Sequence, residues 1–338
     1  MKRRFVLGLL ISGILLIVIF RQVDINQLYN ELHALSYPLL LAAITCLLLT
    51  LIVRAWRWGY LMEPVKPTKM SNLFPATSIG AAMDMLLPVR MGDLIRAYLL
   101  SRKEDISSFA CLGTIVVEKV FDLLVILVIG FVTIVAINFT AEKSSLPAKL
   151  PSTLYILAGL ILVLSLLIWV SIVKTAWLNN FIQVRLTFLP VKMHTFLKRT
   201  LSSFIQGLQS FGRPDGLLQI IFLTCLLWGL FALSNLLILH AFGLSLPYYS
   251  ALLILVFQIL GVTVPSSPGF IGTYHAAVIT GLSVFGISSE AAISVAIIMH
   301  AAFFFPFIFV GFIFIWKENL SLQALWYSRS SEPQSNKL

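Results

Sequence analysis

Long apolar runs recur along the chain, separated by short polar segments of which many are basic. A helix of about 20 apolar residues is long enough to cross a hydrocarbon core of about 30 Å. Full membrane spans are predicted at residues 5–20, 39–60, 109–138, 153–173, 217–241 and 291–316. The apolar runs do not alternate with period two, as the strands of a membrane barrel must. The pattern therefore predicts an all-α, polytopic helical bundle.

Three further apolar runs are shorter than a full membrane span. Residues 73–87 are interrupted by proline, and a full span there would place Arg90 and Arg96 outside, against the positive-inside bias. A re-entrant or interfacial segment that returns to the cytoplasmic side resolves the conflict, followed by a short helix at 92–101. Residues 249–264 and 270–285 form either two short spans or one hairpin that enters from outside. The total is about eight membrane segments.

The distribution of Lys and Arg orients the bundle with both termini in the cytoplasm. Only Arg21, Lys143 and Lys149 then lie outside. The first apolar run is read as an uncleaved span rather than a signal peptide, because no small-residue cleavage site follows it. Residues 193–211 have an apolar and a basic face, which suits either a helix in the headgroup region or a connector packed on the bundle. Residues 1–317 form one transmembrane domain, and 318–338 form a cytoplasmic polar tail without predicted structure.

Composition supports this class of protein. The 338 residues are 59% hydrophobic and 11% charged, with a mean hydropathy of +0.96, whereas soluble domains are about 25% charged. The net charge of +10 is explained by cytoplasmic loops, so no nucleic-acid partner is predicted. The three cysteines and five histidines show no metal-binding spacing, and no metal or other cofactor is expected.

Charged residues close to apolar segments are the most informative feature, because such charges are costly unless they are paired or face water. They are Asp84, Arg90, Asp93, Arg96, Glu118, Lys119 and Asp122. Asp93 and Arg96 share a helical face, as do Glu118 and Asp122, and Lys119 is expected to neutralise Asp122. The group is either an interior ion-pair lock or the working site. Arg54 and Arg57 end the second span beside tryptophans, which suits interfacial anchoring or a headgroup contact equally.

Two Pro/Gly breaks interrupt apolar sequence, L-L-P-V-R-M-G-D at 86–93 and V-P-S-S-P-G-F-I-G-T-Y-H at 264–275. Such breaks, one in each half, point to a transporter binding site, although both could be simple turns. The flanking spans do not match one to one, so no inverted repeat is predicted. Ser266 or Ser267 with His275 or His300 could suggest catalysis, but nothing orients them, and no enzyme motif is present.

The ordered motifs R-A-W-R-W, L-P-V-R-M-G-D-L-I-R, V-V-E-K-V-F-D and P-S-S-P-G-F-I-G-T-Y-H resemble the transmembrane region family of lysylphosphatidylglycerol synthase, also called flippase-like or UPF0104. The resemblance covers residues 5–317. Lys119 replaces the usual Arg of the family, Phe270 replaces a Gly, and His275 stands near a usual acid. Family members with a soluble domain add lysine to phosphatidylglycerol and move the product across the bilayer. The chain ends about twenty residues after its last span, so aminoacyl transfer is not expected.

The resemblance implies a lipid transporter of the cytoplasmic membrane, for a phospholipid or a polyprenyl- or isoprenoid-linked lipid. Because the sequence has no nucleotide-binding motif, movement would be downhill or ion-coupled. The alternative is a non-catalytic partner or scaffold of a separately encoded lipid-modifying enzyme or glycosyltransferase. An integral-membrane enzyme acting on a lipid is a third, weaker option. The expected headgroup-binding residues are Arg90, Asp93, Arg96, Glu118, Asp122, Pro265, Ser266, Ser267, Pro268, Gly269, Gly272 and His275. The expected supporting residues are Arg54, Arg57, Asp84, Pro88, Gly92 and Lys119.

Overall fold

The computed structural model describes residues 33–87, 91–140, 163, 214–264 and 267–320. The predictions for residues 5–20, 193–211 and 321–338 lie outside these ranges, as does that for 153–173 apart from residue 163. The described elements are helices α1 Tyr37–Met62, α2 Met70–Leu86, α3 Gly92–Glu104, α4 Ser108–Thr140, α5 Pro214–Ala241, α6 Tyr248–Thr263, a 3₁₀ turn at Pro268–Phe270, α7 Thr273–Ser283 and α8 Ser289–Lys317. Each agrees within a few residues with the helix predicted from the apolar pattern.

Four of these helices, α1, α4, α5 and α8, are long and apolar enough to cross a membrane. Their outward faces carry large apolar side chains, such as Leu41, Leu218 and Phe309. An apolar outer surface is favourable in lipid. The interior of the described bundle also buries large apolar side chains such as Leu51 and Phe307, together with the polar side chains described below.

Helices α2 and α3 form a hairpin whose arms are about 26 and 20 Å long, shorter than the hydrocarbon core. The open end is closed by polar contacts: Lys66 Nζ donates to the carbonyl oxygen of Glu104 at 2.6 Å, and Asn72 Nδ2 donates to Glu104 Oε1 at 2.6 Å. The hairpin therefore enters and leaves at the end of the bundle that also carries Lys103 and Lys317, called here the basic end. This geometry agrees with the re-entrant segment predicted for residues 73–87.

Helices α6 and α7 form a second hairpin, with arms of about 24 and 16 Å. Its open end is marked by Tyr249 and Phe285, whose ring centroids are 6.0 Å apart. Helix α6 follows the end of α5, far from the basic end, so this hairpin enters from the opposite side. Of the two alternatives for residues 249–285, the structure shows the hairpin.

The described helices form two similar units in opposite orientation, α1–α4 and α5–α8. Each consists of a long helix, a hairpin and a second long helix. The first helices of the units are antiparallel: the amide of Ser36 donates to the carbonyl of Ala241 at 3.0 Å, while Arg57 near the other end of α1 contacts Thr224. Helix packing follows the same plan in both units, and between units α2 packs on α8 as α6 packs on α4. The sequence pattern predicted no inverted repeat; the structure shows one.

Small residues let the hairpins approach their neighbours. A Cβ atom on Gly92 would collide with the carbonyl oxygen of Gly80, and a Cβ atom on Gly311 would collide with the Cβ atom of Ala82. Helix α2 is thus in close contact with α3 on one side and α8 on another. This close packing holds both arms of the first hairpin against their neighbours.

Candidate functional site

Six charged side chains from α1, α3 and α4 lie together in the half of the bundle nearer the basic end. They are called the charged cluster and are Arg57, Asp93, Arg96, Glu118, Lys119 and Asp122. The cluster holds three positive and three negative charges, so it is neutral as a whole. Neutrality within the cluster is what allows so many charges inside apolar helices.

Glu118 is the centre of the cluster and is completely buried. Its Oε1 atom lies 3.1 Å from Nη2 of Arg57 and 3.0 Å from Nη2 of Arg96. Nη1 of Arg96 donates to Glu118 Oε2 at 3.2 Å, so that pair is bidentate. One carboxylate therefore bridges two guanidinium groups that would otherwise repel each other.

Asp122 holds the other side of Arg57. Nη1 of Arg57 donates to Asp122 Oδ1 at 2.6 Å and Nη2 donates to Oδ2 at 3.3 Å. Nη1 also donates to Thr224 Oγ1 at 3.0 Å, and Trp228 Nε1 donates to Asp122 Oδ1 at 3.1 Å. Thr224 and Trp228 belong to α5, so the cluster connects the two units. Sequence reasoning missed both residues, because neither carries a charge.

The cluster becomes accessible at Asp93 and Lys119. Asp93 Oδ1 lies 2.9 Å from Arg96 Nη2, and Asp93 Oδ2 lies 3.0 Å from Lys119 Nζ. The side chains of Asp93 and Lys119 are 29% and 42% exposed. Burial alone would raise the pKa of Asp93, but attraction to Arg96 and Lys119 outweighs it and holds that pKa well below its usual value. Asp93 is therefore a carboxylate throughout the physiological range.

The expectation that Lys119 neutralises Asp122 was wrong. Lys119 pairs with Asp93 on α3, and Asp122 pairs with Arg57 on α1. The lysine side chain points toward the exposed edge, and the bidentate guanidinium of Arg57 satisfies the carboxylate that lies deeper. The two shared faces were predicted correctly. Asp93 and Arg96 lie on one face of α3, where the structure pairs them, and Glu118 and Asp122 lie on one face of α4, where both contact Arg57.

Arg96 also stacks on an aromatic ring. Its guanidinium carbon lies 4.9 Å from the ring centroid of Trp58, and Trp58 Nε1 donates to Thr114 Oγ1 at 2.9 Å. Stacking on tryptophan adds to the ion pairs because the face of the ring is electron-rich. The two residues of the R-A-W-R-W motif that mattered were therefore Arg57 and Trp58, both fully buried. Arg54, one turn earlier, is only partly buried.

Each of the two buried arginines has one N–H that no acceptor among the described residues pairs with. Within the described ranges, Nε of Arg57 and Nε of Arg96 have no hydrogen-bond partner. A buried donor left unpaired costs about 1–3 kcal/mol. Oxygen atoms of a molecule bound at this depth would satisfy both donors.

Among the remaining residues predicted in the first half of the chain, Asp84 and Gly92 connect two helices. Asp84 Oδ1 accepts from the amide of Gly92 at 2.7 Å, which joins the end of α2 to the start of α3. A carboxylate at a helix N-terminus is also favoured by the helix dipole. Pro88 and Arg90 lie outside the described residues.

The second break forms a tight turn that is held by two histidines. His300 Nε2 lies 2.7 Å from the carbonyl oxygen of Gly269, and His275 Nδ1 accepts from the amide of Gly272 at 3.4 Å. Gly269 and Gly272 have φ values of 77° and 93°, which only glycine adopts freely. Pro268 begins the 3₁₀ turn, and the hydroxyl of Ser267 donates to the carbonyl of Ile271 at 3.3 Å. Pro265 and Ser266 lie outside the described residues.

Phe270 is the exception in this turn. Its φ is 57°, a left-handed conformation that costs a non-glycine residue roughly 1–2 kcal/mol. Its ring is nonetheless buried, in the same hydrophobic cluster as Ala81 and Met85 of α2. The 3₁₀ turn that contains Phe270 also contacts α2, so the tip of the second hairpin meets the first hairpin.

A neutral polar cluster in the second unit was not predicted. It is called the Gln258 cluster and consists of Asn235, Gln258, Tyr274, His275 and His300. Asn235 and Gln258 exchange hydrogen bonds of 2.9 and 3.1 Å between their amides, and Gln258 Nε2 also donates to Tyr274 Oη at 2.8 Å. The ring centroids of His275 and His300 are 4.8 Å apart. Single amides in apolar runs were the signal available in the sequence.

Comparison with known proteins relates the chain to other membrane proteins. The sequence model of the family described as the Lysylphosphatidylglycerol synthase TM region matches residues 5–311. A UPF0104 membrane protein of Methanocaldococcus jannaschii is 25% identical over 230 residues, which are 68% of this chain and 91% of that protein. No solved structure matches the chain. Because the match covers nearly all of the helical region, the chain belongs to the Lysylphosphatidylglycerol synthase TM region family of membrane proteins.

Proposed function

We propose that this protein moves a lipid with an anionic headgroup across the cytoplasmic membrane, either a phospholipid or a polyprenyl- or isoprenoid-linked lipid. The observation that carries the proposal is the pair of buried arginines, each with an unused Nε donor, in a cluster that becomes accessible at Asp93 and Lys119. A phosphate suits such a site because a guanidinium matches it with two parallel hydrogen bonds.

The energetic cost of the charged cluster supports a functional role. Desolvation of buried ions costs several kcal/mol each, and a well-packed apolar replacement is often as stable or more so. Apolar side chains could hold the helices together inside an apolar bundle without this desolvation penalty, so a purely structural role does not explain the charges. Glu118 and Asp93 are suitable ligands for Arg96 in the absence of lipid, since carboxylate oxygens occupy the places that phosphate oxygens would take.

The architecture supports transport over a static role. Inverted-topology repeats with broken helices, one in each half, are the common plan of secondary transporters, with the substrate site near the interface of the repeats. Here α2–α3 and α6–α7 are the broken segments, and the charged cluster reaches across the interface through Thr224 and Trp228. The acyl chains would remain along the exposed apolar faces. The proposal requires no catalytic step.

The test is lipid translocation in proteoliposomes with a fluorescent anionic phospholipid. Arg96→Gln and Arg90→Gln should each abolish the translocation that wild-type protein shows above protein-free liposomes. Arg102→Gln is the matched control: it removes one positive charge from the same helix as Arg96, but Arg102 is exposed and contacts only the hydroxyl and ring of Tyr98 among the described side chains. Unchanged translocation in both Arg96→Gln and Arg90→Gln would contradict the proposal.

A second candidate is a membrane scaffold for a separately encoded lipid-modifying enzyme or glycosyltransferase. It is favoured by one observation: the Nη atoms of Arg57 and Arg96 are already paired with carboxylates, as a lock requires. The charge-reversed pair Arg96→Glu with Glu118→Arg separates the two roles. If the ion pair is only a structural lock, the double variant should recover both the thermal stability and the translocation that the single variants lose. A headgroup site should recover stability without translocation.

A further inference from the structure

The inverted repeat places the two polar clusters in comparable positions of opposite units. Arg57 lies five residues before the end of α1, and Asn235 lies six residues before the end of α5. Glu118 is the eleventh residue of α4, and His300 is the twelfth residue of α8. Each cluster also includes the arm that follows the break, through Arg96 on α3 and Tyr274 on α7.

The Gln258 cluster ties the second hairpin to both long helices of its unit. Gln258 on α6 binds Asn235 on α5 and Tyr274 on α7, and its Nε2 lies 3.5 Å from Sδ of Met299 on α8. His300 on the same helix binds the hairpin tip at Gly269. One amide side chain therefore contacts all three neighbouring helices. The charged cluster does the same in the first unit, where Glu118 on α4 bridges α1 and α3.

We propose that the Gln258 cluster is a gate on the side of the membrane opposite the basic end, the counterpart of the charged cluster, and that opening one gate closes the other. The inference rests on the proposed transport function. It assigns the α2–α3 hairpin to access from the basic end and the α6–α7 hairpin to access from the opposite end. In the described structure both clusters are intact, so the structure corresponds to the closed intermediate of such an exchange.

Contact between the hairpins provides the coupling. Phe270 at the tip of the second hairpin packs in one buried cluster with Ala81 and Met85 of the first. Because packed interiors rearrange between discrete arrangements rather than deforming continuously, displacement of one tip must be accommodated by the other. Because of this contact, opening of one gate is expected to change the position of the other hairpin, so the two gates do not open independently.

Cysteine labelling with a membrane-impermeant maleimide tests the inference. The parent protein has Cys46, Cys111 and Cys225 replaced by alanine. One reporter is Thr273→Cys at the start of α7, and the other is Ala97→Cys on α3; both native residues are buried. Thr273→Cys is labelled from the side opposite the basic end, and Ala97→Cys from the basic end.

Gln258→Leu should raise labelling of the Thr273→Cys reporter about fivefold or more and lower that of the Ala97→Cys reporter, since it weakens one gate only. Tyr274→Phe removes a single hydroxyl and should act in the same direction with a smaller effect, which keeps the test valid if Gln258→Leu fails to fold. Glu118→Gln should have the reverse effect. Ser250→Ala is the control, because this buried hydroxyl on α6 has no hydrogen-bond partner among the described residues.

Opposite changes at the two reporters support the inference. A rise at both reporters would indicate general loosening and would overturn it, as would no change at either. The labelling needs no lipid substrate, so the outcome is separate from the translocation assay. Translocation without opposite changes would overturn the coupled gates alone, and opposite changes without any translocation would overturn the proposed function alone.

Discussion

Glu118→Gln is the most direct test of how the charged cluster is held together. Glu118 is completely buried and receives both Arg57 and Arg96 on one carboxylate. The substitution preserves the shape of the side chain but changes the cluster from three positive and three negative charges to three and two. It also places an amide N–H₂ donor where one guanidinium requires an acceptor. Both guanidinium groups then keep only one acidic partner each, Asp122 and Asp93.

The expected loss is large because the group is shielded from water. Breaking a buried ion pair by removing one partner costs about 3–5 kcal/mol, whereas an exposed pair contributes about 0–1 kcal/mol. At about 2–3 °C per kcal/mol for a chain of this size, Glu118→Gln should lower the melting temperature in detergent by roughly 6–15 °C. Lys66→Gln is the control. It removes a half-exposed ion pair with Glu104 at 3.0 Å and should lower the melting temperature by roughly 3 °C or less.

Thermal unfolding of purified protein, followed by dye binding or circular dichroism, measures the difference. If Glu118→Gln melts within about 2 °C of the wild type, the carboxylate does not hold the two arginines in the way the structure indicates. An equal loss in Glu118→Gln and Lys66→Gln would also contradict the reasoning, because burial would then have no effect on the strength of the pair.

Two further predictions concern the edge of the cluster and the second hairpin. The pKa of Asp93 is lowered in the folded protein, so its contribution is fully present above the unfolded value near 4 and is lost as pH falls below it. The melting-temperature difference between wild type and Asp93→Asn should therefore be constant from pH 5 to 8 and shrink below about pH 4; a difference that changes between pH 5 and 8 would refute this. Phe270→Gly relieves roughly 1–2 kcal/mol of left-handed strain but removes a buried ring worth about 3–5 kcal/mol. The variant should thus melt lower than wild type, and a higher melting temperature would show that strain dominates.

The sequence determined the helices because the bilayer imposes a requirement that is readable along the chain. A span needs about 20 apolar residues, and an interruption by proline or a charge is visible directly. For this reason the bounds of α1, α4, α5 and α8 and the two breaks were predicted within a few residues. Pairs within one helix were also predictable, as for Asp93 with Arg96, since three residues fix their relative direction.

Pairs between helices were decided by tertiary structure alone. Which carboxylate Arg57 or Lys119 meets depends on how α1, α3 and α4 are rotated and offset, and no spacing in the chain encodes that. The burial of Arg57 was hidden for the same reason, because an arginine near a span end reads as an anchor until a partner is found within its reach.

The inverted repeat was hidden in the sequence because lipid imposes only weak demands on individual residues. Many apolar side chains satisfy a span, so two units can keep the same fold with little shared sequence, and their polar positions differ in kind: a charged cluster around Glu118 in one unit and an amide cluster around Gln258 in the other. Hydropathy along the chain therefore determined the helices and the sites of the breaks. The opposed orientation of the two units, and with it the pairing of every buried charge, was decided only when the helices packed.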